Sequence, residues 1–189
     1  VMIQETWLNK SVETVKVQNY RTVSRRDRHS GENRGGVLTL ARVGFNSISH
    51  IRDSKEDERS WHFLNLGAEN VLLGNWYRSP STVHDGFSEL QDDLAEFSSE
   101  ITGIILMGDL NVHHLRWLRY SNANTPVGTD LKGLCDSHGL TQLVKQRTRA
   151  EYLLDLVLTD VPDCKLQVLP STANHNAVLS GVPRPEVTS

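Results

Sequence analysis

The stretch ITGIILMGDLNVHH, residues 101–114, places polar side chains directly behind the most hydrophobic run of the chain. Residues 101–107 are apolar enough for a buried strand, and Gly108 allows the backbone to turn sharply where that strand ends. Asp109 and Asn111 are two positions apart, so on an extended segment their side chains point to the same side. The stretch therefore predicts one carboxylate and one amide that face a common point at the end of a buried strand.

A carboxylate beside an amide suits phosphodiester chemistry. The Asp109 carboxylate can hold or deprotonate a water molecule, and the neutral Asn111 amide can donate to a non-bridging oxygen without repelling it. An ordinary turn is the alternative interpretation, because Asp and Asn are favoured in turns. The heptapeptide GDLNVHH leaves both interpretations open.

Composition limits the class of protein. The chain has 189 residues, of which 38% are hydrophobic and 23% are charged, and such a chain fits one globular domain that can bury a sizeable core. The formal charge of −3 gives no overall basic field, so any contact with nucleic acid is expected to be local. We expect one domain over residues 1–181 and a tail over 182–189.

The sequence gives no indication of membrane insertion or secretion. No apolar run approaches the roughly 18 residues of a membrane span, and the start VMIQETWLNK is unlike a signal segment. Cys135 and Cys164 form neither a disulfide framework nor a metal-ligand spacing. We therefore expect an intracellular protein, nuclear or cytoplasmic, in a reducing compartment.

Strand and helix patterns alternate along the chain, which predicts a mixed α/β domain with the sheet as its core. Strand-like runs occupy residues 35–43, 70–78, 101–107, 152–160 and 174–182. A first helix is expected to open at Asp85, with an apolar stripe formed by Phe87, Leu90, Leu94 and Phe97.

A second helix is expected within residues 128–140. Thr129 or Asp130 would cap it and Gly139 would end it, and its inward face would comprise Leu131, Leu134 and Cys135. Residues 24–34 and 118–128 are poorly patterned and are predicted to be surface loops.

Four further polar residues stand in or beside strand-like runs. They are Glu5 in IQETWL, Tyr77 in NWYRSPS, Asp155 in LLDLVLTD and His175 in NHNAVL. Asp155 is flanked by apolar residues and needs a partner if it is buried. Glu, Tyr, Asp-x-Asn, Asp and His in this order are typical of a site that hydrolyses phosphodiesters with a hard divalent cation.

Seven motifs in one order carry a family resemblance. They are QETW, RGGV, NWYRSPS, GDLNVHHLRW, GLTQLVKQRTR, LLDLVLTD and NHNAVL. In this order they resemble the endonuclease/exonuclease/phosphatase superfamily, and more closely the apurinic-like endonuclease domain that precedes the reverse transcriptase in non-LTR retrotransposons. The resemblance implies a four-layer α/β sandwich of two packed mixed β-sheets flanked by helices. It also implies a domain that nicks DNA with Mg²⁺ or Mn²⁺ and leaves a 3′-hydroxyl for priming reverse transcription.

The resemblance assigns a catalytic role to five residues. Asp109 matches the residue that activates or orients the attacking water, and Asn111 matches the one that holds the phosphate. Asp155 matches the aspartate that fixes the catalytic histidine, and His175 matches that histidine. Tyr77 matches the tyrosine whose hydroxyl contacts the scissile phosphate.

The metal side of the site departs from the family pattern. Glu5 matches the metal-binding glutamate, whereas Asn174 stands where the family motif Ser-Asp-His carries its aspartate. A negative charge is thus lost where a cation is expected, and we expect weakened activity. The family domain also begins with a strand that bears an asparagine and precedes the glutamate; this sequence does not include it, so an unpaired sheet edge is expected.

The histidine pair His113 and His114 suggests zinc at first sight. Adjacent residues on an extended segment point in opposite directions, and no Cys or further His lies at ligand spacing nearby. We therefore expect both rings, with Trp117, at the rim of the site or in packing.

Local basic segments are the expected contacts to DNA. They supply Arg25, Arg26, Arg78, Arg147 and Arg149, mainly from SRRDRH and KQRTR. The resemblance further implies a parent polyprotein with a reverse transcriptase, and we expect a monomeric domain. Two alternatives stay open: an inactive retroelement remnant that at most binds nucleic acid, and a phosphatase of small phosphorylated lipids or inositols.

Overall fold

Strands and helices alternate through residues 1–28, 34–82, 86–171 and 173–183, the parts of the chain that the computed structural model describes. The strands in these ranges are β1 (Met2–Gln4), β2 (Tyr20–Arg26), β3 (Val37–Arg42), β4 (Ile48–Asp53), β5 (Glu58–Asn65), β6 (Asn70–Tyr77), β7 (Gly103–Asp109), β8 (Thr141–Gln142), β9 (Asp155–Thr159), β10 (Lys165–Leu169) and β11 (Ala177–Gly181). The helices are α1 (Phe87–Phe97) and α2 (Pro126–Ser137).

A six-stranded sheet of order β4-β5-β6-β7-β9-β8 forms the centre of the fold. In this sheet β6 and β7 run parallel, and all the other neighbouring strands are antiparallel. Parallel neighbours need a long crossover connection, and α1 lies in that connection. The apolar run of residues 101–107 supplies most of β7. This strand is paired on both sides, and its Ile105 and Leu106 are each 1% exposed.

The helices pack on the six-stranded sheet. The predicted stripe of α1 is confirmed as buried, and Phe97 and Phe87 meet Trp61 and Trp76 edge to face, with ring centroids 6.3 and 6.1 Å apart. The predicted inward face of α2 is also buried. The predicted start at Asp85 lies outside the described residues.

The predicted cap of α2 at Thr129 or Asp130 is wrong. The helix begins at Pro126, and the side chain of Thr125 accepts a hydrogen bond of 3.1 Å from the amide of Gly128. Proline at the first helical position after a threonine cap is a strong start signal, because proline lacks the amide that would be unpaired there. The predicted loop 118–128 is therefore wrong for its last residues.

A three-stranded sheet, β1-β3-β2, packs against the six-stranded one. Asn75 of β6 joins them: its Nδ2 donates to the carbonyl of Leu38 and to the hydroxyl of Thr39, each at 3.2 Å, and its Oδ1 accepts from Gln4 at 2.6 Å. Among the described residues β1 pairs with β3 alone, and β10 and β11 form a separate antiparallel pair. The predicted α/β sandwich is confirmed.

One predicted loop is partly wrong. β2 continues through residues 24–26 because Ser24 is buried against His62 and the backbone pairs with β3. Residues 29–33 of the same predicted loop, and residues 184–189 of the predicted tail, lie outside the described residues. No helix among the described residues is long and apolar enough to cross a membrane.

His62 is a buried titratable group between the sheets. Its ring is fully buried, and its Nε2 shares a hydrogen bond of 2.7 Å with the Ser24 hydroxyl. Burial, and then the neighbouring His50, lower the pKa of His62 to about 4. The folded protein therefore favours the neutral ring, whereas the unfolded chain binds a proton near pH 6.5.

We expect the free energy of unfolding to fall as the pH drops from about 6.5 to about 4, since the unfolded chain then binds a proton at His62 that the folded protein does not bind. The loss from His62 alone should be about 3 kcal/mol, at about 1.4 kcal/mol per pKa unit. Urea unfolding across this pH range measures it. His62→Gln should flatten the dependence, and His138→Gln, at the half-buried end of α2, is the matched control; an unchanged dependence in His62→Gln would contradict the assignment.

Candidate active site

Asp109 ends the central strand β7 and is 2% exposed. The glycine before it is required by a close approach, since a Cβ on Gly108 would lie 1.7 Å from the carbonyl oxygen of Trp76. This approach brings the end of β7 against the end of β6. Neither carboxylate oxygen of Asp109 accepts a hydrogen bond from the described residues.

The surroundings of Asp109 disfavour its charge. Burial raises the pKa of this carboxyl group well above its usual range, and the negative charges of Asp155 and Glu5 raise it further. The charge of His175 and the nearby amide of Asn111 act in the opposite direction. A buried carboxylate with unused oxygens and acidic neighbours favours a bound cation.

Glu5 follows β1 in the left-handed backbone region, with φ 52°. The hydroxyl of Tyr77 donates a hydrogen bond of 2.7 Å to its Oε1. Burial, and then the bond to Glu5, raise the pKa of Tyr77, so its hydroxyl keeps its proton and stays a donor. The tyrosine thereby holds the glutamate in place.

His175 faces both aspartates. Its Nδ1 donates to Oδ2 of Asp155 at 2.8 Å, because an ionised carboxylate only accepts. Its Nε2 lies 3.7 Å from Oδ2 of Asp109 and has no hydrogen-bond partner in the described part of the chain. The hydrogen bond to Asp155 raises the pKa of His175 above its ordinary value. Ligand atoms of Glu5, Asp109 and His175 all lie within 4.8 Å of one another.

Asp155 reaches the site through strand register. Asp155 is the first residue of β9, and it pairs directly with Asp109 across the antiparallel β7–β9 ladder. Asn111 lies at the same site in the left-handed backbone region, with φ 48°, and its Nδ2 donates to the carbonyl of Arg78 at 2.9 Å. The amide of Arg78 in turn donates to the carbonyl of Asp109. The structure thus brings together Glu5, Tyr77, Asp109, Asn111, Asp155 and His175.

Thr148 is a positioning residue that the sequence analysis missed. It is fully buried, and its hydroxyl accepts hydrogen bonds of 3.0 Å from the amides of Leu154 and Asp155. Its carbonyl accepts from the amide of Asn176 at 2.6 Å. Thr148 therefore ties the aspartate and the histidine segment to one another. A threonine between two arginines gives no pattern that would indicate burial.

Asn174 is exposed beside His175, and its side chain makes no hydrogen bond within the described ranges. The two histidines lie at the rim: the His113 ring packs edge to face on Tyr152 at 5.3 Å, and Nδ1 of His114 accepts from the amide of Trp117 at 3.2 Å.

The five arginines predicted to meet DNA fall into two groups. Arg25 contacts Asp27 at 2.7 and 2.8 Å, Arg26 donates to the carbonyl of Lys55, and the buried Arg78 donates to the carbonyl of Thr82. These three side chains bind protein groups.

Arg147 and Arg149 flank Thr148, and within the described residues neither has a carboxylate at ion-pair distance. Arg149 forms a backbone bridge with His175. The second group therefore adjoins the candidate site and keeps its charge available.

Comparisons with known proteins agree with the geometry. Residues 71–179 match a protein-family model described as endonuclease-reverse transcriptase, and no curated protein matches the chain. Among solved structures, the fold is similar to the endonuclease domain of TRAS1, a telomere-specific non-LTR retrotransposon, with a TM-score of 0.69 and 14% sequence identity over 92% of this chain and 83% of that one. Since the family model spans more than half of the sequence and covers five of the six converging residues, the chain belongs to the endonuclease-reverse transcriptase family.

Proposed function

We propose that this domain is a metal-dependent DNA endonuclease that nicks its target by hydrolysing a phosphodiester. The observation that carries the proposal is the cluster of Glu5, Asp109 and His175, in which a buried carboxylate has two unused oxygens. Family membership supports an endonuclease. As in the family name, we infer a parent polyprotein with a reverse transcriptase, which would extend the 3′-hydroxyl left by the nick.

The donor set fits Mg²⁺ or Mn²⁺. Hard divalent cations prefer carboxylate oxygens, and Glu5 and Asp109 offer such oxygens within 4.8 Å of each other. These two residues would hold the ion, and we propose Asn174, the exposed residue before His175, as a further ligand. A bound cation would polarise the phosphate and neutralise the charge that develops on it.

The side chains of this chain have distinct roles in the proposed reaction. Asp109 would offer one carboxylate oxygen to the ion and the other to the attacking water, which it orients and whose proton it accepts. His175, kept protonated by Asp155, donates from Nε2 to the phosphate. Asn111 has a second amide hydrogen for a non-bridging oxygen, and Tyr77 keeps Glu5 in position.

DNA would be bound through its phosphates by Arg147 and Arg149, with Arg25, Arg26 and Arg78 as further proposed contacts. We infer a monomer in the nucleus or cytoplasm. A phosphatase of small phosphorylated lipids or inositols has less support, because the cavity of about 560 Å³ between α1 and α2 is lined by none of the site residues.

An inactive remnant is the second candidate, and Asn174 is the observation that favours it. The amide keeps the size of an aspartate but not its charge, and it lies exposed next to His175. A remnant would bind DNA in a salt-sensitive way without cutting it.

We expect the chain to convert supercoiled plasmid to the nicked form with Mg²⁺ and not with EDTA. Asp109→Ala should lower the nicking rate by about 100- to 10,000-fold, since it removes the proposed base. Agarose-gel time courses measure the rate. Asp92→Ala, which removes an exposed carboxylate from α1, is the matched control. Nicking that persists in EDTA or in Asp109→Ala would contradict the proposal.

Asn174→Asp should strengthen the metal site. A carboxylate there would bind the cation directly or through water, and we expect the Mg²⁺ midpoint of nicking to fall by about 10-fold. Mg²⁺ titrations of nicking, with calorimetric titrations alongside, give the midpoint. Asn46→Asp, on an exposed turn after β3, adds the same charge elsewhere. Equal midpoints for Asn174→Asp and the parent chain would mean that the amide is a tolerated variant.

A further inference from the structure

An exposed tyrosine lies under an arginine at the rim of the candidate site. The guanidinium carbon of Arg147 is 4.7 Å from the centroid of the Tyr120 ring, over one of its faces. The tyrosine nevertheless stays 43% exposed. Its backbone is in the left-handed region, with φ 64°, which is uncommon for a bulky side chain. The loop therefore presents an aromatic surface that the core does not use.

This pair is joined to the segment that carries His175. The side chain of Asn176, the next residue, donates to the carbonyl of Arg147 at 3.2 Å. Arg149, two positions after Arg147, forms a backbone bridge with His175. The Tyr120–Arg147 pair is thus joined to the segment of His175 by the side chain of Asn176 and, through Arg149, by a backbone bridge.

The same rim concentrates positive charge. Burial, and then the positive charge of the nearby Arg119, lower the pKa of the Lys145 ammonium. Neither cation, nor Arg147 or Arg149, forms an ion pair with a carboxylate in the described part of the chain. Four cations without acidic partners in a chain of net charge −3 indicate a local surface for an anion.

Exposed aromatic rings beside unpaired cations are the combination that binds unstacked nucleotides: the ring stacks on the base while the cations meet the backbone. In an intact duplex both faces of a base are covered by its neighbours, so a protein ring can stack only on a base that has left the helix. We propose that Tyr120 and Arg147 form a stacking platform for an unpaired DNA base next to the cleaved phosphodiester. The proposal rests on the proposed endonuclease function and specifies its substrate as DNA with a locally opened strand.

Binding in EDTA tests the platform without cleavage. The probes are a short DNA duplex with one unpaired 2-aminopurine and the same duplex fully paired, and anisotropy and 2-aminopurine emission are the readouts. Tyr120→Ala should weaken binding of the first probe on the order of 10-fold, with little effect on the second, because it removes one base–aromatic stack. It should also abolish the quenching of 2-aminopurine, which Tyr120→Phe should retain.

Two controls separate stacking from charge. Tyr20→Ala removes a tyrosine of similar exposure, 37%, from β2 and should change neither readout. Arg147→Ala should reduce the slope of log affinity against log salt concentration by about the amount that one phosphate contact contributes. Arg147→Lys should keep the slope and lose part of the quenching.

The outcomes distinguish this proposal from the function on which it rests. Equal binding of both probes by Tyr120→Ala and the parent chain, or an equal loss for both probes, would overturn the platform. Quenching that depends on Tyr120 in a chain that nicks no plasmid with Mg²⁺ would support the platform and count against the endonuclease. Plasmid nicking without such quenching would do the reverse.

Discussion

The buried carboxylate of Asp109 is the constraint on which the site depends. A carboxylate that is 2% exposed and accepts no hydrogen bond from the described residues is costly to bury, and Asp155 and Glu5 add repulsion. The rest of the fold must therefore overcome this cost. It does so with the doubly paired strand β7, whose residues Ile105 and Leu106 are buried between the two sheets and the helices. The fold therefore fixes the carboxylate before any ligand binds, and its two unused oxygens stay available to a ligand.

The apolar periodicity made the centre of the fold predictable. Residues 101–107 gave β7, and the stripe on α1 followed from three- and four-residue spacing. One strand that escaped prediction carries polar residues inward: β5 buries Arg59, Ser60 and His62. Two of these residues have partners on other elements, since Asp93 of α1 pairs with Arg59 and Ser24 of β2 bonds to His62. A local window cannot reveal such long-range compensation, so a buried polar strand resembles an exposed one.

The side chains of the candidate site could be predicted because each stands at an irregular position. Asp109 and His175 interrupt or border apolar runs, and their convergence follows from strand ends that meet at one edge. Thr148 could not be found in this way, because its role is to satisfy backbone amides of Leu154 and Asp155, and a backbone donor has no letter in the sequence. The cap of α2 is a different case, because Thr125 followed by Pro126 is a start signal in the sequence itself, and the prediction of Thr129 or Asp130 overlooked it.

Opposite charges share this edge of the molecule without cancelling. The acidic cluster is buried at Asp109 and half-buried at Glu5, whereas Arg147 is exposed, and Arg149 bridges the two through the backbone of His175. At physiological salt the field of exposed charges fades over about 8 to 10 Å, so an approaching phosphate meets the arginines first. We expect it to reach the carboxylates only when it is already held, and under the proposed function a divalent cation would then offset the repulsion between the phosphate and these acids. Under the same proposal, the separation of binding charge from catalytic charge would explain how a chain of net charge −3 can be suited to a polyanion without a basic surface overall.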